Sequence, residues 1–264
     1  EAFVDLLLEH YGDQVTGLEI GNEYPICRRV ENFDRSIHPE DIQGSNFVSS
    51  MNELEYSIAA NRVINAAQDG IDRLARDRPD LGHDPNILMQ LGDMTGAGST
   101  YKGNGNWDDA NEAVLDKLDQ RAKDAIDGAV GHYYYNQKHM ASQVFDGGNQ
   151  QVRSLDERID SFNGYLGRDV PLYITEWNVL NGNLHQQGMA AASVILEMFE
   201  LMVQAETAEE FIWPLQHRTA NTIAGNRGAD DMDLSVAGAA FAMMSDTLRP
   251  DTSAETGRET RFES

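Results

Sequence analysis

A chain of 264 residues with 41% hydrophobic and 8% aromatic residues can bury a core, which excludes a disordered polymer by composition. Its 20 Lys and Arg stand against 44 Asp and Glu, a formal net charge of −24 that repels phosphate backbones and anionic membrane surfaces. Neither nucleic acid nor membrane is expected as a partner, and the single cysteine, Cys27, excludes an intrachain disulfide.

The acids are spread along the chain rather than held in one block, the pattern of a solvated acidic surface. The opening EAFVDLLLEHYG is amphipathic and lacks the basic start and cleavage site of a signal peptide, so it reads as a helix over about 1–11. No apolar run reaches the roughly 18 residues that cross a bilayer.

An apolar run from Val15 closes on Gly21-Asn22-Glu23. After a polar loop, Ile58, Val63, Ile64, Ala67, Ile71 and Leu74 recur at helical spacing and predict a helix over about 52–78. Pro79 to Pro85 breaks it, and 86–92 reads as a short buried strand. A Gly/Asn-rich loop (92–106) precedes a helix over about 108–126, and 128–135 reads as a strand. A helix (about 154–166), a strand (171–177), a helix rich in small residues (about 187–204), a strand (210–215) and a helix (about 235–247) follow.

Five strands thus alternate with helices, and the strand runs are continuously apolar, the mark of a parallel sheet covered on both faces. Two α/β architectures fit, an open doubly wound sheet and a (β/α)₈ TIM barrel. No internal repeat or low-complexity linker interrupts the chain. One domain is expected over 1–248, with a polar tail over 249–264.

In parallel α/β folds the active groups gather at the C-terminal ends of strands. Those ends carry Asn22-Glu23, His132 and Tyr134, Glu176-Trp177 and Trp213, with Gln90 and Asp93 nearby. Carboxylates, amides and aromatics are the chemistry of a sugar site: aromatic faces stack on pyranose C–H groups, amides and carboxylates bond hydroxyls, and two carboxyls act on the glycosidic bond. No other cofactor chemistry stands out. The loop with Gly96-Ala-Gly98 and Gly103-Asn-Gly105 lacks the Lys-Ser/Thr ending of a phosphate-binding loop. The seven histidines show no H-E-x-x-H pattern, and Asp230-Asp-Met-Asp233 lacks the spacing of a calcium loop, so neither a metal nor a cofactor is expected. Cys27 has no ordered base partner and is read as incidental.

Gly21-Asn22-Glu23 resembles the Asn-Glu signature that closes the fourth barrel strand of clan-A glycoside hydrolases, and Ile174-Thr-Glu-Trp-Asn178 resembles their nucleophile motif at the end of the seventh. The wording "EIGNE" and "ITEWN" is similar to the β-xylosidase and α-L-arabinofuranosidase branches. Two further strands lie between Glu23 and Glu176, as that spacing requires. The resemblance implies that this chain is the C-terminal portion of the barrel, strands four to eight. Strands one to three are missing, so the chain looks N-terminally incomplete, or completed by another polypeptide.

It further implies a retaining O-glycoside hydrolase acting on a plant or algal oligo- or polysaccharide, with Glu176 as nucleophile and Glu23 as acid/base, the latter starting protonated. Strand-end salt bridges are the alternative for both. Asn22 would bond the sugar 2-hydroxyl, or simply hold the turn. His132 and Tyr134 share one strand face, with Tyr133 on the other, packed under helices. Trp213, before Pro214, is a sugar platform or core; Trp177 is expected in the core, and Trp107 sits on a loop at the rim. Arg28, Arg29 and Arg218 are candidates for a uronate carboxylate, Arg218 the best placed. The expected location is extracellular, in a bacterium. The alternatives are a catalytically silent carbohydrate-binding module on the same barrel, and an unrelated α/β enzyme on an open sheet. The last requires Glu23 and Glu176 not to face one another.

Overall fold

The computed structural model describes residues 2–24, 51, 53–80, 84–92, 107–135, 150–182, 185–217, 219–225 and 233–248. Five apolar runs, bounded by Gly, Pro, Asp or Asn, become strands: β1 (Gly17–Ile20), β2 (Asn86–Gln90), β3 (Gly128–Tyr135), β4 (Leu172–Val179) and β5 (Glu210–Ile212). They form one sheet in chain order, β1-β2-β3-β4-β5. The β1–β2 and β2–β3 pairs are parallel, with Ile20 opposite Met89 and Gln90 opposite Val130.

Strand order decides between the two architectures. A doubly wound sheet reverses its winding at a switch point, and this sheet has no reversal. Right-handed crossovers between neighbours taken in sequence put every connecting helix on the same face. That is the arrangement of consecutive βα units in a (β/α)₈ barrel, and the α/β fold is a five-strand portion of that kind. The helices are α1 (Ala2–Tyr11), α2 (Glu53–Asp77), α3 (Trp107–Leu115), α4 (Gln120–Asp124), α5 (Gln150–Leu166), α6 (Gly188–Gln204) and α7 (Val236–Leu248). Among the described residues no helix is long and apolar enough to cross a membrane.

Two expectations need correction. The helix expected over 108–126 is two helices, because Asp119 offers the backbone a better partner than another helical turn. Its carboxylate accepts the Ala122 N–H (2.8 Å) and caps α4, while its own N–H donates to Asn61 Oδ1 (2.9 Å). In α2 the buried stripe runs through Tyr56, Ala60, Ile64, Ala67, Ile71 and Leu74, and Val63 points to solvent. An apolar residue one position off the stripe was counted with it.

The residues divide into two compact units. The first comprises Glu1–Tyr133, Asn149–Trp177 and Met202–Phe211. On one sheet face Leu88, Val130 and Tyr173 pack together; on the other, Gly131 meets Ile174 and Leu91. Tyr133 and Trp177 are fully buried, as expected. A polar knot ties the end of β2 to two helices. The Gly92 N–H donates to Asn111 Oδ1 (2.9 Å), and Asn111 Nδ2 donates to the Arg158 carbonyl (3.0 Å) and faces Ser161 Oγ (3.3 Å).

That knot needs the absence of a side chain at 92. A Cβ there would lie 2.3 Å from the Ala110 carbonyl carbon and 2.4 Å from the Asn111 nitrogen, both backbone atoms that cannot swing away. Gly92→Ala is therefore expected to cost about 1–3 kcal/mol and to lower the melting temperature by several degrees. An unchanged melt would contradict this packing.

The second unit comprises Tyr134–Gly148, Asn178–Leu201 and Ile212–Ser264. Its organiser is Asn178, which is buried. Its Nδ2 donates to the Trp213 carbonyl (2.9 Å) and the Asn221 carbonyl (3.0 Å), while Asn221 Nδ2 returns to the Val179 carbonyl (2.7 Å). The Trp213–Pro214 bond is cis.

Candidate active site

The construction starts where β1 and β2 end. Tyr56, on α2, donates its hydroxyl to the Ile20 carbonyl (2.6 Å) and accepts the Gln90 N–H (3.1 Å), pinning both strand ends. Its ring stacks on Tyr24, with centroids 4.3 Å apart. Between these anchors the chain turns through Gly21, at φ +102, where a Cβ would lie 2.9 Å from the Tyr56 ring. Glu23 follows at φ +46, a left-handed conformation that costs a non-glycine residue about 1 kcal/mol or more and recurs at functional sites. The turn aims the Glu23 side chain back over the sheet.

It meets His132 there. This imidazole is 2% exposed and ringed by three carboxylates. Nδ1 lies 3.0 Å from Glu23 Oε1 and 3.5 Å from Glu176 Oε2, and Nε2 lies 3.6 Å from Glu19 Oε1. The first is a hydrogen bond; the other two are ion-pair distances beyond that range. One oxygen of Glu23, one of Glu176 and a ring nitrogen of His132 all lie within 4.8 Å of one another. Glu23 and Glu176 therefore face each other, which removes the open-sheet reading that kept them apart.

Burial pulls the His132 imidazole down, but Glu19, Glu23 and Glu176 outweigh it and push it up to about 9. At neutral pH the ring is therefore a cation. Glu19 is raised by burial, yet His132, the Gln90 amide (Nε2 donating at 2.7 Å) and the adjacent Thr175 hold it below the ordinary carboxylate range.

The consequence for stability has a definite sign. A histidine raised in the folded state from about 6.5 contributes fully below about pH 6.5, and the contribution is lost as pH rises through about 9. Glu19 works at the other end: its contribution is present above the ordinary carboxylate range and is lost on acidification. The melting temperature is expected to fall between about pH 7 and pH 10, by an amount on the order of 3 kcal/mol of stability at the His132 site. His132→Gln should flatten that fall. A slope that survives the substitution would show that the imidazole is not held as described.

Among the other expected site residues, Asn22 is exposed in the turn. Tyr134 is half-buried on β3 and Trp213 is 51% exposed at the end of β5; both belong to the second unit. Asp93, Cys27, Arg28, Arg29 and Arg218 lie outside the described residues, as do the glycine loop and the 249–264 tail. Trp107 opens α3 rather than sitting on a loop. Glu19 was missed. Its signal was present: a lone carboxylate inside the apolar run Leu18-Glu19-Ile20, on the same pleat as Gly21 and so facing the site.

No family model and no curated protein matches the chain. Among solved structures it is similar to an α-L-arabinofuranosidase from Thermotoga maritima in complex with arabinose, at 17% identity and a TM-score of 0.47, over 77% of this chain and 38% of that one. It is similar to a thermostable GH51 α-L-arabinofuranosidase from Thermotoga petrophila RKU-1 at 18% identity and a TM-score of 0.45, over 75% of this chain and 37% of that one. SrfJ from Salmonella typhimurium matches at 14% identity and a TM-score of 0.49, over 94% of this chain and 47% of that one. The chain spans less than half the length of each of these proteins, and its own fold assignment rests on the strand order given above.

Proposed function

We propose that this chain carries the carboxylate pair of a retaining O-glycoside hydrolase. The observation that carries the proposal is the convergence of Glu23, in the turn after β1, and Glu176, on β4, with oxygens within 4.8 Å. Carboxyls about 5–5.5 Å apart suit attack by one of them on the sugar, whereas inversion needs roughly 6.5–9.5 Å to admit a water. The closest oxygens here fit the shorter class.

In this reading Glu176 attacks the anomeric carbon while Glu23 gives its proton to the departing oxygen. Glu23 then takes a proton from water, which displaces Glu176 and restores both groups. His132 holds both side chains in register. Asn22, in the same turn as Glu23, is the proposed contact to the sugar 2-hydroxyl. The substrate class is a plant or algal oligo- or polysaccharide, met outside the cell. The test is hydrolysis of a panel of aryl glycosides, aryl β-D-xylosides and α-L-arabinofuranosides first, with the anomer formed followed by proton NMR. Release of the inverted anomer would refute double displacement.

A second reading is a silent carbohydrate-binding module. It is favoured by one contact: Glu23 Oε1 is engaged by His132 at 3.0 Å, which leaves less freedom for proton transfer. Saturable binding of xylo-oligosaccharide without turnover of any aryl glycoside would select it.

A further inference from the structure

We propose that Glu23, His132 and Glu176 form a binding site for one zinc ion, with Glu19 as the carboxylate that orients the imidazole from behind. Three donors converge from the turn after β1, from β3 and from β4: Nδ1 of His132 lies 3.0 Å from Glu23 Oε1 and 3.5 Å from Glu176 Oε2, and one ligand atom of each residue lies within 4.8 Å of the others. Nitrogen and oxygen donors at about 2.0–2.2 Å from zinc stand about 3.4 Å apart in a tetrahedral shell. Two of the three spacings already have that size. The Glu23 and Glu176 side chains are 28% and 24% exposed.

A second observation is independent of this spacing. A histidine that ligates zinc through one nitrogen characteristically gives its other N–H to a carboxylate, which fixes the tautomer and the ring orientation. His132 has a carboxylate at that position: Nδ1 faces Glu23 and Glu176, while the buried Nε2 lies 3.6 Å from Glu19 Oε1, just outside hydrogen-bond range and without another partner among the described residues. Glu19 is itself held by the Gln90 amide at 2.7 Å, and Gln90 is pinned by Tyr56. The ring is 2% exposed and cannot turn away to solvent.

One imidazole and two carboxylates favour zinc over magnesium or calcium, which take larger all-oxygen shells. The imidazole has to bind as the neutral ring, so uptake releases a proton and tightens as pH rises. A zinc ion here engages both carboxylates assigned above to the glycosidic bond. It would therefore inhibit competitively, a corollary that rests on the proposed function; the binding itself does not.

The experiment is calorimetric titration of the metal-free chain with zinc chloride at pH 7.5, with calcium chloride as the comparison ion. One saturable equivalent is expected. Glu19→Gln should weaken it by about 10–100-fold, and Glu176→Gln by at least about tenfold. His132→Gln should remove it, and Glu176→Gln serves as the ligand test should the histidine variant fail to fold. The proposal is overturned by the absence of saturable binding. It is equally overturned by one-equivalent binding unchanged in Glu176→Gln and Glu19→Gln, which would place the ion on the acidic surface, or by calcium binding as tightly as zinc. Because binding is read without turnover, failure here leaves the glycosidase reading untouched, and absence of glycosidase activity leaves the zinc result intact.

Discussion

Glu176→Gln is expected to abolish turnover of an aryl glycoside, by about 10³-fold or more, while leaving the melting temperature close to that of the parent. A factor of that size corresponds to about 4 kcal/mol of barrier. The substitution keeps volume and shape and removes the negative charge that has to form the bond to the anomeric carbon. A neutral amide oxygen is a far weaker nucleophile, and nothing else in the described site stands ready to replace it: Glu23 occupies the opposing turn, and Glu19 sits behind His132. The structural cost is small because the Glu176 side chain is 24% exposed and its contact with His132, at 3.5 Å, is the looser of the two at Nδ1. Steady-state rates and a thermal melt on the same preparation read both parts. Normal turnover in the variant would remove Glu176 from the mechanism.

Glu23→Ala should produce a different signature, because one residue serves two steps. Loss of general acid catalysis slows the first step by about 10²–10⁴-fold for poor leaving groups and much less for a nitrophenolate, which departs without a proton. Loss of general base catalysis then slows the second step for every substrate alike. A small anion such as azide needs no deprotonation and fits the space vacated by the side chain, so it should restore the second step and release a glycosyl azide of retained configuration. Equal losses across leaving groups, with no response to azide, would exclude Glu23 from acid/base work. His132 sharpens the comparison. With Glu23 gone it keeps Glu19 and Glu176, so the nucleophile remains in place while the acid is missing.

The sequence made the element order legible because a parallel sheet covered on both faces writes its strands as unbroken apolar runs, and Gly or Pro punctuates them. It exposed Glu23 and Glu176 because each closes such a run, where this class of fold collects its chemistry. Periodicity failed where a side chain outbid the backbone, as at Asp119, and where an apolar residue stood just off the buried stripe, as at Val63. The role of Glu19 was not read because a strand carboxylate has no meaning until its neighbours are known. Only the register that sets β1 beside β2, and β2 beside β3, brings Gln90 and His132 to it. Asn178 is similar: a residue within a recognisable motif whose work, holding the backbone at Trp213 and Asn221, depends on contacts some 35 and 43 positions away.

In the proposed mechanism Glu176 forms a bond to sugar while Glu23 faces it. A 2-deoxy-2-fluoro glycosyl fluoride tests it most directly, because the fluorine at C2 disfavours the oxocarbenium-like transition states and the good leaving group lets the glycosyl-enzyme accumulate. Intact-mass measurement followed by peptide mapping is predicted to show one added glycosyl group, on the peptide containing Ile174-Thr-Glu-Trp-Asn178 and localised to Glu176. Labelling of a different residue, or hydrolysis of aryl glycosides with inverted configuration and no adduct, would contradict the account.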